Sequence, residues 1–304
     1  MSDPTPTPGT QPLIEPDELA HWLDQPGENS RPVIIDVRWQ LGRGVDGNRD
    51  ECAQGHLPGA AFLDLETALA GPVRDDGAGG RHPLPSQSAA TEALRAAGVT
   101  KGRPVVVYDG ANSLAAARAW WVLQYFGKSD VRVLNGGYAA WVAAGLATET
   151  GLATAGSVRE RGDVDLRPGA REAPTADDLA AYLESPGSTV IDARARERFL
   201  GAVEPMDPVA GHIPGALNLP TLDALTDAGR FDPGLLRRRL RDLGVDRDAP
   251  TALYCGSGVQ AAHLALAMEV ADPARRPPAV YVGSWSDWIS DPQRPVAVEN
   301  LPAT

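Results

Sequence analysis

The segment Leu253-Tyr254-Cys255-Gly256-Ser257-Gly258-Val259-Gln260-Ala261-Ala262-His263 places a thiol inside a run that can shape the backbone around it. An apolar run ends at Tyr254, and the pattern predicts a helix from about Val259 to Val270. Cys255 then sits where a strand gives way to a helix, on the sheet edge where open α/β folds place ligands. Gly256 and Gly258 allow a tight curl. Backbone N–H groups turned into the curl, near the positive end of the helix dipole, stabilise an anion, either a thiolate or a sulfur anion built on it. A buried cysteine acting as a small apolar side chain is the plainer alternative, and the Gly-X-Gly turn disfavours it.

Two other chemistries fit these residues less well. Gly256-Ser-Gly258-Val-Gln-Ala261 matches the G-x-G-x-x-A dinucleotide fingerprint, which expects an acidic residue about 20 positions on. The chain has Arg275-Arg276-Pro277 there. A cysteine phosphatase of the C-x5-R type requires arginine at position 261, which is Ala261.

The other cysteine, Cys52, lies in the polar run Asn48-Arg-Asp-Glu-Cys-Ala-Gln54 and reads as incidental. Two cysteines in 304 residues make neither a disulfide scaffold nor a zinc-ligand cluster. With 43% hydrophobic and 22% charged residues, a packed soluble core is expected. A net charge of -12 repels nucleic acid and anionic membranes, so neither is an expected partner, and an anionic substrate requires a locally basic pocket. No apolar run reaches the roughly 18 residues a membrane span needs. Met1 to Pro12 is rich in Pro and Thr, with no basic stretch and no apolar core, so a disordered tail is expected rather than a secretory signal. The expected location is a reducing cytoplasm, where a thiol stays free to react.

The elements that position Cys255 follow from an internal repeat. Val33-Ile-Ile-Asp-Val-Arg-Trp39 is matched by Thr189-Val-Ile-Asp-Ala-Arg194, each a short β-branched run suited to a buried parallel strand. Gly55-His56-Leu-Pro-Gly-Ala60 is matched by Gly211-His212-Ile-Pro-Gly-Ala216. Asp36 and Asp192, like His56 and His212, are 156 residues apart. Pro104-Val-Val-Val-Tyr-Asp-Gly110 then pairs with Pro250-Thr-Ala-Leu-Tyr-Cys-Gly256, and Gly136-Gly-Tyr-Ala-Ala-Trp141 with Gly283-Ser-Trp-Ser-Asp-Trp288. These last offsets are 146 and 147, so the first copy holds about ten extra residues, for which the Gly- and Pro-rich interval 70–86 is the natural place. The expected architecture is two tandem α/β domains, each a small parallel sheet with helices on both faces. Their expected extents are 13–147 and 173–304, joined by a mixed, charged linker over 148–172. Pro174-Thr175 reads as the capped start of a helix over Asp177 to Leu183.

From about residue 13 to 290 these motifs resemble the tandem-domain rhodaneses, which include thiosulfate and 3-mercaptopyruvate sulfurtransferases. The resemblance implies that the second domain carries a sulfur-transferring cysteine, Cys255, and that the first is catalytically silent. Asp109 at the matching position agrees. It implies ping-pong transfer through a persulfide, from a small anionic sulfur donor to a thiol, cyanide or protein-cysteine acceptor, with no cofactor or metal. The loop Gly256, Ser257, Gly258, Val259 and Gln260 is expected to hold the donor together with Arg198, which matches a family arginine for the donor's anionic group. Cys255-Gly-Ser-Gly-Val259 is similar to the mercaptopyruvate form; the thiosulfate form carries basic residues after the cysteine. Two departures stand against it. Gln260 replaces a usual Thr, and Met206-Asp207 follows Glu204-Pro205 where a second arginine is typical of mercaptopyruvate enzymes. Arg194 is expected to hold its domain together, and His56 and His212 to brace their turns. Across the domain interface His56 could also handle protons with Ser257. Mercaptopyruvate is the expected donor, with thiosulfate the alternative. A non-catalytic, protein-binding rhodanese-like module is disfavoured by the intact cysteine loop.

Overall fold

The computed structural model describes residues 11–27, 31–152 and 160–299. The expected tail falls outside these residues up to position 10, and Pro12 already accepts a hydrogen bond from Val133 N at 2.8 Å.

The first unit runs β1 (Leu13–Ile14), α1 (Pro16–Leu23), β2 (Val33–Asp36), α2 (Gly44–Gln54), β3 (Ala61–Phe62) and α3 (Leu65–Ala68). It continues α4 (Gln87–Ala96), β4 (Val105–Tyr108), α5 (Leu114–Tyr125), β5 (Val131–Leu134) and α6 (Gly137–Ala143). The second runs α7 (Ala176–Glu184), β6 (Thr189–Asp192), α8 (Arg196–Leu200), β7 (Leu217–Asn218) and α9 (Pro233–Asp242). It ends with β8 (Thr251–Tyr254), α10 (Val259–Ala271), β9 (Ala279–Val280) and α11 (Ser284–Trp288).

All strand pairs are parallel, in the orders β1-β5-β4-β2-β3 and β7-β6-β8-β9. Asp36 pairs in register with Tyr108, and Asp192 with Tyr254, so the repeated motifs occupy equivalent places. The central strands β2, β4 and β8 are buried along their whole length, which is why they read as unbroken apolar runs rather than alternating ones. α7 starts at the cap expected at Thr175, where the structure shows a capping box with the Thr175 side chain accepting from Asp178 N.

α5 and α10 pack against each other between the two sheets. Both are apolar nearly all round, as helices covered on every side must be. One hydrophobic cluster therefore runs from Val107 and Trp120 through to Leu264 and Leu253. The interval expected to link the units also packs: Val164 and Leu166 join this core, and Arg171 bonds both Gln124 of α5 and Glu269 of α10. The extra segment of the first copy crosses to the second unit, where Gly79 N donates to Asp287 Oδ1 at 2.7 Å and Arg81 N to Ser286 Oγ at 3.1 Å.

Candidate active site

Strand β8 delivers Cys255 to the carboxyl edge of its sheet, and α11 holds it there. Cys255 N donates to Ser284 Oγ at 3.1 Å, Trp285 N to Cys255 O at 2.9 Å and Ser286 N to Gly256 O at 3.0 Å. Gly258 caps α10 with φ +82°, and its N–H donates to Cys255 Sγ at 3.1 Å. A methyl group at Gly258 would lie 2.6 Å from Val282 O, so both conformation and space require glycine. The curl expected from the sequence is present, with the start of α10 facing the sulfur.

A charge from the other unit completes it. Arg118 of α5 is fully buried, and its Nη1 lies 3.1 Å from where that methyl would be. Its Nη2 donates to Leu69 O at 3.2 Å and His82 O at 2.9 Å, while Nε and Nη1 have no hydrogen-bond partner among the described residues. Burial pushes this guanidinium down to about 10, and attraction to Cys255 opposes that shift. A half-paired buried cation is costly unless an anion faces it.

Cys255 opens on a cavity of about 240 Å³. From the second unit it is lined by Arg198, Met206, Cys255, Gly256, Ser257, Val259 and Gln260. From the first come Trp39, Leu41, Arg81, His82 and Leu114. Of the residues expected around the donor, only Gly258 is not a wall residue; its N–H serves the sulfur instead.

His82 Nδ1 lies 2.8 Å from Ser257 Oγ. Burial, with help from Arg118 and Arg81, pushes this imidazole down to about 4, so it is neutral near pH 7. A neutral imidazole has one donor and one acceptor nitrogen, which suits a proton relay to a hydroxyl. Its ring meets Trp39 edge to face, with centroids 5.8 Å apart.

Proton handling with Ser257 was the alternative role for His56, and the structure gives that place to His82. His56 does not line the cavity. Its ring is spent between its own turn, with Nδ1 3.0 Å from Leu57 O, and the chain after α6, with Nε2 2.6 Å from Gly151 O. His212 likewise lies 2.7 Å from Phe199 O.

Arg198 reaches the site, tied from behind. Its Nε and Nη2 donate to the Glu204 carboxylate at 3.1 and 2.7 Å, and Nη2 also reaches Asp207 Oδ2 at 3.0 Å. Arg81 pairs with the other oxygen of Asp207. A methyl group at Gly256 would lie 2.9 Å from Arg81 Nη2 and 3.4 Å from Arg198 Nη1, so two guanidiniums flank the loop. The basic charge missing from the loop and from position 206 is thus delivered by the other unit. Arg194 is fully buried, paired with Asp192 at 2.6 Å and bonded to Gly211 O at 2.7 Å, a brace within its unit.

Cys52 offers a contrast. It is buried, donates to Asp36 Oδ2 at 3.3 Å, and burial with the Asp36 charge pushes its thiol far up. That environment opposes a thiolate.

Arg81, His82 and Arg118 escaped the sequence reading. The available signal was Gly79-Gly80-Arg81-His82-Pro83, a histidine beside an arginine inside the segment the second copy lacks.

Comparison with known proteins gives the family. The rhodanese-like domain family matches the chain twice, over residues 16–144 and 175–291. A Mycobacterium tuberculosis protein named as a thiosulfate sulfurtransferase, SseB, is 44% identical over 94% of this chain and 96% of its own. A Pseudomonas aeruginosa protein named as a 3-mercaptopyruvate sulfurtransferase is 43% identical over 94% of this chain and 97% of its own. The crystal structure of the Escherichia coli 3-mercaptopyruvate enzyme SseA superposes with a TM-score of 0.75 at 30% identity, covering 91% of this chain and 99% of that one. Among the described residues no helix is long and apolar enough to cross a membrane. With two matched domains and relatives similar along nearly the whole chain, the protein belongs to the rhodanese family and is a two-domain sulfurtransferase.

Proposed function

We propose that the protein moves a sulfane sulfur from 3-mercaptopyruvate to a thiol, protein-cysteine or cyanide acceptor, through a persulfide on Cys255. The relatives' names divide between two donors, so donor choice rests on the site. The observation that carries the reading is the hydrogen bond between His82 and Ser257 beside Cys255.

The two donors differ in their need for a proton. Cys255 thiolate attacking the sulfur of mercaptopyruvate forms an S–S bond and breaks a C–S bond. The carbon fragment leaves as the enolate of pyruvate, and the proton of the donor's thiol must end on its methylene carbon. Ser257, its hydroxyl held by neutral His82, can pass that proton from sulfur to carbon, so atoms and charge balance as persulfide plus pyruvate. Thiosulfate would leave as sulfite, with no proton to move. In either case the charge on the persulfide meets Gly258 N–H, the start of α10 and Arg118. An acceptor nucleophile then takes the outer sulfur and restores the thiolate, and the cycle closes without a cofactor. A reducing cytoplasm is the compartment in which such a thiol keeps working.

The test compares both donors side by side in unmodified, His82→Ala and Ser257→Ala protein. Either substitution should lower kcat with mercaptopyruvate by about 100-fold and change thiosulfate turnover by less than about threefold. Equal losses with both donors, or a higher kcat/KM for thiosulfate in the unmodified protein, would make this a thiosulfate enzyme.

A further inference from the structure

Arg81 and Arg198 come from different units, yet a single carboxylate holds both. Asp207 gives one oxygen to each guanidinium, and its side chain is only 3% exposed. Its loop is pinned by Glu204, whose Oε1 accepts from the backbone N–H of both Met206 and Asp207. The bridge lies at the mouth of the site, since Gly256, Arg81, Arg198 and Met206 all line the cavity beside Cys255. Two planar guanidiniums flanking Gly256 have the geometry that recognises a carboxylate or an oxyanion of sulfur. They are already answered by a carboxylate from the protein.

We propose that Arg81 and Arg198 form a cross-unit anion clamp and that Asp207 is its resident occupant, which an incoming donor must displace or share. The proposal rests on Cys255 as the sulfur carrier, and it names the residues that set donor class. Two arginine charges set against Asp207 and Glu204 sum to zero, so the clamp attracts a donor through hydrogen-bond geometry more than through net charge. A singly charged keto acid loses little by this. A dianion such as thiosulfate loses more, because the Asp207 charge repels it twice over. Asp207 is thereby a specificity-determining residue and Arg81 a substrate-positioning one, and the silent unit takes part in choosing the donor.

The test uses full-length protein with Cys255→Ser, so that binding is read without turnover. Pyruvate serves as monoanion and sulfate as dianion, each titrated by calorimetry. Asp207→Asn should tighten pyruvate about 10-fold and sulfate by a larger factor. Arg81→Ala should weaken both about 10- to 100-fold, with Arg81→Lys recovering part of the loss and standing in if the alanine variant does not fold. With Cys255 present, Asp207→Asn should shift the ratio of kcat/KM values toward thiosulfate. Weaker or unchanged anion binding in Asp207→Asn would overturn the resident-anion role, and unchanged binding in Arg81→Ala would remove Arg81 from the clamp. The catalytic reading fails separately, if mass spectrometry finds no added sulfur on Cys255 after donor treatment.

Discussion

Two loops leave equivalent strand ends, residues 109–113 after β4 and residues 255–258 after β8. Both curl back on the first side chain of the loop, so that backbone N–H groups turn toward it in the first and one N–H does so in the second. In the first, that side chain is Asp109, and the curl is full. Its Oδ1 accepts from Ala111 N and Ser113 N at 3.1 and 3.0 Å, and its Oδ2 from Ala115 N and Ala116 N at 3.0 and 3.2 Å. Burial raises the Asp109 pKa and these four bonds oppose the rise. With two N–H donors on each oxygen, the arrangement suits the ionised carboxylate. In the second loop the atom is sulfur, it takes one N–H, and the space beyond is the cavity. The silent loop thus displays the anion that the other is shaped to receive, with a carboxylate fixed where a persulfide would come and go.

The helices following the loops exchange gifts at the same position. Arg118, fifth in α5, lies under the Cys255 loop, while His263, fifth in α10, reaches the Asp109 loop, with Nε2 3.1 Å from Asn112 O. The cation goes to the loop that must carry a transient anion. The neutral ring goes to the loop whose anion is already solvated by backbone.

Four changes would break or sharpen this contrast. The largest concerns Cys255. Cys255→Asp should abolish turnover yet melt above Cys255→Ala, because a carboxylate satisfies the second curl as it does the first; scanning calorimetry and a donor assay decide. A Cys255→Asp protein that melts below the alanine variant would mean that the two curls are not alike. Emptying the silent curl comes next. Asp109→Ala leaves three buried N–H groups and a part-buried fourth without their acceptor and should cost about 3 kcal/mol or more in urea unfolding, whereas a loss under about 1 kcal/mol would show that water replaces the carboxylate.

The third is a pH effect. Burial pushes both His82 and His263 down to about 4, below their ordinary value near 6.5. The unfolded chain therefore binds more protons between these limits. Stability should be complete above pH 6.5, fall as pH drops toward 4, and lose roughly 2–3 kcal/mol per histidine. His263→Asn should flatten that slope in denaturant midpoints taken at several pH values, and an unchanged slope would clear His263. The smallest effect belongs to Cys52→Ala, which should leave kcat/KM within about twofold, since its thiol is bonded to Asp36 away from the cavity. Persulfide sulfur found on Cys52 by mass spectrometry would contradict this.

Repetition made the fold legible. Asp-x-Arg, Gly-His-X-Pro-Gly-Ala and the Gly-rich helix starts recur because each unit needs the same strand ends and turns, and they fall in register in the two sheets. The same logic explains why His56 braces its turn and why its alternative role beside Ser257 fails. A residue present in both copies does a job both copies need, and both histidines brace turns. A residue serving one active site should break the repeat. Cys255 does so by replacing aspartate, and its loop was readable because glycine and cysteine act locally. His82 and Arg81 do so by lying in the segment only the first copy has, and their contacts with Ser257 and Asp207 span 175 and 126 residues. Nothing local encodes such pairings. Arg118 lies in an apolar helix, and no local pattern ties its charge to the Cys255 loop of the other unit.

Only 1% of Cys255 is exposed, which separates the carrier from its cargo. An S–S bond of about 2.05 Å puts the transferred atom one bond further out, so an acceptor meets the outer sulfur before it can meet Sγ. A bulky thiol unable to touch the resting enzyme can still unload the charged one. Iodoacetamide should therefore modify sulfur-loaded protein faster than empty protein.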